Sequence, residues 1–439
     1  MISTRKAVPG TSLLRLSSRA FGLTALPLAF VAMACGGSVA QAPVQPSEDA
    51  GVVADATPTP EPDASPTVDA APIPYPAPHT PMPLIDNNGN RVMQNMHIVT
   101  VTWSADDPSM VSRLQKLDDT ITQTPWWKST TSEYCEKGGS PCIGPGTAGE
   151  HVVIKDPPPN DFTDSSQGGA STLQTWLKQQ VATNPDFPDP TPDTLYAIYL
   201  PSGTSITLDN TQSCNGFGAY HNTTDLTGKK TSQALPTAYA IMPRCGGKES
   251  TTTVSASHEF TEAATDPDIG QQNLTFYMLN QTWAVAGGEV GDLCVDFLGG
   301  NDRWQESSFV VQRSWSNAAA KTGHDPCVPV PQGAVYFQAA PRKQKLVLKV
   351  VGDTAVLDID AYSDAPTSDW KLSAFDYAQY QQNTTYLGFA FDTSNVNNGS
   401  HVQLTVTLKR AMPQYDIFAI ISTGPNGVRH TWPVLVTPK

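Results

Sequence analysis

Hydrophobic and polar positions give this chain two textures. From residue 96 to about 330, short β-branched runs alternate with longer stretches of helical period. "MHIVTVTW" (96–103) alternates and is rich in Val, Ile and Thr, which predicts a strand. In "DPSMVSRLQKLDDTI", Val111, Leu114, Leu117 and Ile121 recur at helical spacing. Asp107 is placed to cap that helix, and Pro108 suits its first turn. "EHVVIKD" predicts a second strand. "STLQTWLKQQVA" predicts a second helix, with Leu173, Trp176, Leu177 and Val181 on one side. "TLYAIYLP" and "TAYAIMPRC" predict further strands, separated by a glycine-rich excursion, "CNGFGAYHN", that has room for one more. A helix over "SASHEFTEAATDPDIG" follows. The order β-α-β-α-β-(β)-β-α implies a sheet with helices packed on it. A mixed sheet with packed helices is therefore expected over 85–330.

From about 331 the texture changes. "KLVLKVV", "AVLDIDAY", "YLGFAFD", "HVQLTVTLK", "DIFAIIS" and "WPVLVTP" are short alternating segments divided by turn residues such as "NVNNGS" and "GPNG". No helix is expected there. The spacing predicts an antiparallel β-sandwich over 331–439, immunoglobulin-like, acting as an accessory or binding domain. The fold class expected for the whole chain is therefore α+β, and the element order over 85–330 resembles that of the zincins, which implies a zincin-like mixed sheet there.

The first 35 residues follow neither pattern. A basic start with Arg5, Lys6, Arg15 and Arg19 precedes the apolar "AFGLTALPLAFVAMAC". This is the pattern of a secretory signal. The "AMAC" ending resembles a bacterial lipobox, which would make Cys35 the lipid-carrying residue, on the outer membrane or cell surface; the alternative is a cleaved signal and a secreted chain. Residues 36–84 are rich in Pro, Ala and Asp, and no Lys or Arg occurs between Arg19 and Arg91. That composition predicts an extended, solvated tether.

The chain carries a net charge of −14, which disfavours nucleic acid as a partner. A lipid anchor and a peptide or protein substrate are the partners expected instead. Six cysteines lie beyond the tether: Cys135, Cys142, Cys214, Cys245, Cys294 and Cys327. An even number in an exported chain points to three disulfides. Sequence order favours Cys135–Cys142, Cys214–Cys245 and Cys294–Cys327.

The candidate chemistry sits in "SASHEFTEAATDPDIG". His258 and Glu262, four residues apart, share one face of the helix, and Glu259 lies about 100° around. Phe260, with Ala256 and Ala264, occupies the other side. The apolar side is expected to enter the core and the His/Glu side to face outward or into a cleft. Pro267 should end the helix near Thr265, leaving Asp268 just past the break. Set on the metallopeptidase pattern H-E-x-x-H-x-x-G-x-x-H, His258, Glu262 and Asp268 take the ligand positions and Glu259 that of the catalytic base. Two departures stand out. Thr265 replaces a glycine, and two carboxylate ligands would offset the charge of the ion. No Lys or Arg lies between Lys248 and Arg303, while Glu249, Glu259, Glu262, Asp266, Asp268, Glu289, Asp292, Asp296 and Asp302 do. Such a run needs a cation, solvent, or basic groups from elsewhere in the chain. Zinc suits histidine with carboxylates, whereas calcium would suit the carboxylates alone. Glu289 and Asp292, in "GGEVGDLC", are alternative third ligands. His221 is a further candidate, as ligand or transition-state donor, with a plain loop histidine as the alternative.

The succession "TPWWKSTTSEY", "LYAIYLPSG", "CNGFGAYHN", "AYAIMPRCGG", "SHEFTEAATDP", "GEVGDLC" and "VVQRSWSN" resembles exported bacterial proteins distantly similar to the plant Exordium (phosphate-induced protein 1) family. The resemblance covers about 96–328. It implies an extracellular location and a role in signalling or growth more than it implies catalysis. Two functions are therefore expected as rivals. One is a lipid-anchored surface protein with a zinc-dependent peptidase-like domain. The other is a non-enzymatic binding, adhesion or signalling module with a structural acidic or calcium site.

Overall fold

Strands organise the first region, the inner ones buried on both faces. Five of them, β1 (His97–Trp103), β2 (Thr147–Ile154), β3 (Thr194–Tyr199), β4 (Tyr220–Thr227) and β5 (Ala234–Met242), form one sheet in the order β2-β1-β3-β5-β4. The pairs β2–β1, β1–β3 and β3–β5 are parallel, and the edge strand β4 runs antiparallel to β5. These come from a computed structural model describing residues 72–439, except 167–168, 231, 270–272, 281, 285–286 and 298–300. The expected signal, the lipobox cysteine Cys35 and the tether up to residue 71 lie outside the described residues.

Helices cover both faces, as parallel strands require. On one face lie α1 (Pro108–Thr120), α2 (Pro125–Thr131) and α4 (Glu249–Thr265); on the other lies α3 (Thr172–Thr183). Asp107 caps α1, its Oδ1 accepting from the Ser109 and Met110 N–H groups, and Pro108 opens the first turn. Ser171 caps α3 through the Gln174 N–H. Leu114, Leu117 and Ile121 bury into one core, and Leu173, Leu177 and Val181 into the other, at the spacing their periodicity predicts. A short helix, α5 (Asp292–Phe297), and a hairpin of β6 (Arg303–Glu306) and β7 (Phe309–Gln312) follow α4 along the chain.

The C-terminal region consists of two sheets. One holds β8 (Phe337–Pro341), β10 (Thr354–Ser363), β14 (His401–Leu408) and β12 (Leu387–Phe391), in that order and antiparallel throughout. The other runs β9 (Lys345–Val347), β16 (Arg429–Thr437), β15 (Asp416–Thr423), β11 (Trp370–Asp376) and β13 (Asn395–Val396), with β9–β16 the one parallel pair. Leu357, Ile359 and Ala361 alternate with polar neighbours, as do Val402, Leu404 and Val406, and the apolar set faces the core. One helix, Tyr377–Gln382, interrupts the strands where none was expected. Asp376 caps it through the Ala378 N–H, a local signal inside an otherwise strand-like texture.

The chain is thus a mixed α+β structure, richer in strands than in helices. Its apolar core does not stop near 330. Trp283 meets Trp315 and Trp432 edge-on, at 5.6 and 5.3 Å, so the two regions share one cluster.

Residues 72–84 depart from the expected solvated tether. Ala77 and Met82 are buried, and His79 stacks on Tyr362 with ring centroids 3.5 Å apart. Asn398 accepts from the Ala77 N–H and donates to the Pro74 carbonyl, and Asn317 bonds Ile85 in the same two-way manner. The composition is that of a linker, but isolated apolar residues give it a docking stripe. The segment continues to Met93, whose N–H donates to the Ala264 carbonyl near the end of α4.

No helix among the described residues is long and apolar enough to cross a membrane. The three disulfides pair Cys135–Cys142, Cys214–Cys245 and Cys294–Cys327, in sequence order.

Candidate metal centre

Helix α4 carries the site, and its burial is the main departure from expectation. It ends at Thr265, ahead of Pro267, as predicted. Every residue from Thr252 to Thr265 is buried, so the His/Glu side faces the interior and not open solvent. Serine and threonine make this possible. Thr261 and Thr265 hydroxyls donate to carbonyls one turn back, Ser257 donates to the Val254 carbonyl, and Thr253 donates to Val310. These hydroxyls find carbonyl partners, most of them within the helix, so a weakly apolar helix survives burial. Ala256, Phe260, Ala263 and Ala264 fill the apolar core alongside.

On the interior side, His258 Nε2 lies 3.1 Å from Glu262 Oε2 and 3.5 Å from Asp292 Oδ1. The remaining oxygen of Glu262, Oε1, accepts from the Gly291 and Asp292 N–H groups, both at 3.1 Å. His221, on edge strand β4, points its Nδ1 at Glu259 Oε2 (3.3 Å) and Glu262 Oε2 (3.7 Å). Its Nε2 lies 3.6 Å from Glu289 Oε1, and neither atom has a hydrogen-bond partner among the described residues. The side chains of His221, Glu259 and Glu262 are each no more than 5% exposed; Asp292, at 17%, marks the more open edge.

The loop before α5 comes close enough to need glycine. A Cβ on Gly291 would stand 2.8 Å from both Glu262 Oε1 and His258 Nδ1. A Cβ on Gly287, whose φ is +103°, would run into the Asp292 carboxylate.

Gln312, at the end of β7, fixes the His258 ring. Its Nε2 donates to the Gly291 carbonyl at 2.9 Å, so its Oε1 is the atom 3.0 Å from His258 Nδ1. Nδ1 must then donate, and the lone pair of neutral His258 sits on Nε2, facing Glu262 and Asp292. An outer partner that sets the tautomer in this way is characteristic of metal-binding histidines.

The electrostatics follow from burial against charge. Burial works to lower the His258 pKa, but Glu262 and Glu259 outweigh it and hold the group well above the usual histidine range. His221 is raised in the same way, burial being outweighed by Glu259 and Glu262. Burial, then Glu262 and Asp266, push the Glu289 carboxyl well up. Burial raises Asp266 to about 7 despite the Thr275 N–H it accepts. For Glu262 burial acts upward, but His258 wins and the pKa is lowered. A divalent ion would compete with protons for the same nitrogen and oxygen atoms.

Two triads place one ligand atom from each member within 4.8 Å of the others: His221, Glu259 and Glu262, and His258, Glu262 and Asp292. Imidazole nitrogen with carboxylate oxygen suits zinc, manganese or ferrous iron better than calcium, which prefers oxygen alone.

Asp268 does not join them. Arg91, from the segment before β1, grips both its oxygens at 2.9 and 2.7 Å. The Pro267 carbonyl is held by the Thr223 hydroxyl, which fixes the turn that carries Asp268 to Arg91. Asp292 occupies the place beside His258 instead. Glu249 is likewise taken by Arg113. Both basic groups come from far along the sequence. Glu289 and His221 lie in the cluster, His221 on a strand rather than in a loop. Gln312 was missed by sequence reasoning, because nothing in "FVVQRSW" marks an orienting amide. A cavity of about 380 Å³ lies elsewhere, lined among others by Arg313, Asp325, Phe337 and His430 and by no member of this cluster.

No protein-family model matches the chain, and no curated protein does. Among solved structures, it is similar over 24% of its length to a Bacteroides ovatus GH5 xyloglucanase in complex with a XXXG heptasaccharide. That match has 10% identity, spans 19% of the xyloglucanase chain and has a TM-score of 0.17. Another 24% match, at 11% identity and a TM-score of 0.16, spans 95% of the BIgI domain of beta protein from S. agalactiae bound to CEACAM1. Likenesses this slight carry no argument about the fold or the site.

Proposed function

We propose that this is an exported protein whose first region is built around a buried divalent transition-metal centre, with zinc the first choice of ion. His258, Glu262 and Asp292 hold it, and His221 and Glu259 stand alongside. The observation that carries this reading is Gln312, which turns the lone pair of His258 towards two buried carboxylates. An imidazole so aimed, in a pocket of negative charge, is arranged for a cation. The ion would tie α4 to the loop before α5 and, through His221, to edge strand β4. Export is supported by the three disulfides. The lipid anchor at Cys35, the zincin-like and immunoglobulin-like descriptions of the two regions, and the kinship with Exordium-like proteins belong to the same proposal.

Elemental analysis of the purified protein tests it. We expect stoichiometric divalent metal, lost on changing His258 to Ala and weakened roughly 10- to 100-fold on changing Gln312 to Leu. Metal-free wild type, folded and tight to no added zinc, would refute the reading.

Peptide hydrolysis is a second reading. It is favoured by one observation: Asp292, the most exposed member of the cluster, leaves that edge nearest to solvent. When bound, the ion would polarise a carbonyl; Glu259 is the group placed to take a proton. Turnover of a peptide panel, abolished by Glu259→Gln with the His258 site still loaded, would support it. No turnover by the loaded protein leaves a structural metal centre.

A further inference from the structure

We infer that the centre holds two divalent ions bridged by Glu262, an inference that rests on the metal-binding reading above. The two triads share Glu262 and nothing else. Each supplies one imidazole and one further carboxylate: His258 with Asp292, and His221 with Glu259.

The bridge is set by hydrogen bonding. Glu262 Oε1 is occupied by two backbone N–H groups, from Gly291 and Asp292. Among the described residues Oε2 accepts from no backbone donor, and it is the atom facing both imidazoles, 3.1 Å from His258 Nε2 and 3.7 Å from His221 Nδ1. One carboxylate oxygen thus stands between two ligand pairs that approach from different elements. His258 and Asp292 come from α4 and the start of α5, His221 and Glu259 from β4 and the adjacent face of α4.

Each imidazole has a polar side chain of its own beside the far nitrogen. For His258 it is Gln312, on Nδ1. For His221 it is Glu289, whose Oε1 lies 3.6 Å from Nε2. Those two buried atoms have no hydrogen-bond partner among the described residues, although both side chains are at least roughly nine-tenths buried. With Glu289 beside Nε2, His221 Nδ1 is the nitrogen that faces Glu259 and Glu262. A carboxylate behind a histidine is the usual support for a metal ligand. A single ion in the His258 triad would leave this second arrangement, imidazole, carboxylate and supporting carboxylate, buried without a cation. Paired ions about 3.5–4 Å apart are a familiar catalytic arrangement, and mixed nitrogen and oxygen donors suit Mn²⁺, Zn²⁺ or Fe²⁺. Glu289 and Gln312 are positioning residues in this scheme.

The test is to strip the full chain with EDTA and titrate it with MnCl₂ or ZnCl₂ in a calorimeter, with electron paramagnetic resonance on the Mn²⁺ form. Two ions per chain are expected, with an exchange-coupled spectrum. His221→Ala should keep one ion and lose the coupling. Asp292→Asn should weaken the other site and leave the His221 site filled. Glu289→Gln should lower the affinity of the His221 site alone, roughly 10- to 100-fold. One ion in wild type, unchanged by His221→Ala, would overturn the two-ion inference and leave the single metal centre standing. No bound ion would overturn both. Should a variant fail to fold, the wild-type stoichiometry and spectrum decide by themselves.

Discussion

Gln312 does two things with one amide: it holds the Gly291 carbonyl and it sets the His258 tautomer. The residues it serves were legible. The spacing of His258, Glu259 and Glu262, and the break at Pro267, follow from helix geometry alone. The orienter was not legible, because it lies 54 residues away on a strand whose local pattern reads as ordinary core. Asp268 shows the converse. Its interval from His258 suited a ligand, but interval says nothing about Arg91, which reaches it from 177 residues away. Another buried carboxyl leads to a prediction at this scale. Asp118 accepts from the Thr100 and Tyr199 hydroxyls at 2.7 Å, yet burial lifts its pKa to about 8. Folded, it keeps its proton up to about pH 8; unfolded, it loses it near 3.8. Unfolding therefore releases a proton between those limits, and the contribution to stability declines as pH rises from about 4 to 8. Denaturant titrations of the wild type and of Asp118→Asn, at pH 5 and pH 8, should show a smaller pH dependence in the variant. An equal dependence in both would assign the slope to other groups.

Elements bearing the site are pinned from outside it. Cys214–Cys245 joins the loop before β4 to the exit of β5, and so holds the strand that carries His221. Cys294–Cys327 anchors α5, at whose start Asp292 stands. These bridges span 31 and 33 residues, against 7 for Cys135–Cys142. Loop-closure entropy makes each long bridge worth roughly 4 kcal/mol and the short one roughly 2.5 kcal/mol. Replacing Cys294 and Cys327 with Ala should therefore lower stability by more than the same change at Cys135 and Cys142, and should also weaken metal binding, which the latter should spare. Thermal melts with and without added zinc would show both effects; equal losses in the two variants would contradict this assignment. At this scale the strands and long helices were readable from their periods. The all-round burial of α4 was not, because its covering comes from β4, β7 and the loop before α5, brought together only by the fold. Hydroxyl-rich residues such as Thr253, Ser257 and Thr261 look equally at home on a surface.

Across the whole molecule, the change of texture near 331 marks a change of architecture, yet the core runs through it. Trp432, from the C-terminal sheets, packs on Trp283 of the first region, and both are fully buried. Trp432→Ala should cost about 3–5 kcal/mol and lower the melting of both regions together. Circular dichroism and release of bound metal should then report one transition; two separated transitions would show that the regions melt independently. Alternation along each strand predicts which residues face inward, but not that one tryptophan would be shared between regions, since that depends on how their surfaces meet.

Residues 72–93 give the molecule a direction of mechanical loading. A pull on the chain ahead of residue 72 would enter the fold at Pro74 and Ala77, where Asn398 of the C-terminal sheets takes the strain. It would next meet the stacked ring of His79 and the two-way clasp between Ile85 and Asn317. Further along lie the pairing of Asp86 and Asn87 with Tyr277 and Phe276, the grip of Arg91 on Asp268, and Met93 at the end of α4. The sheets act as a strain relief ahead of the helix bearing His258 and Glu262.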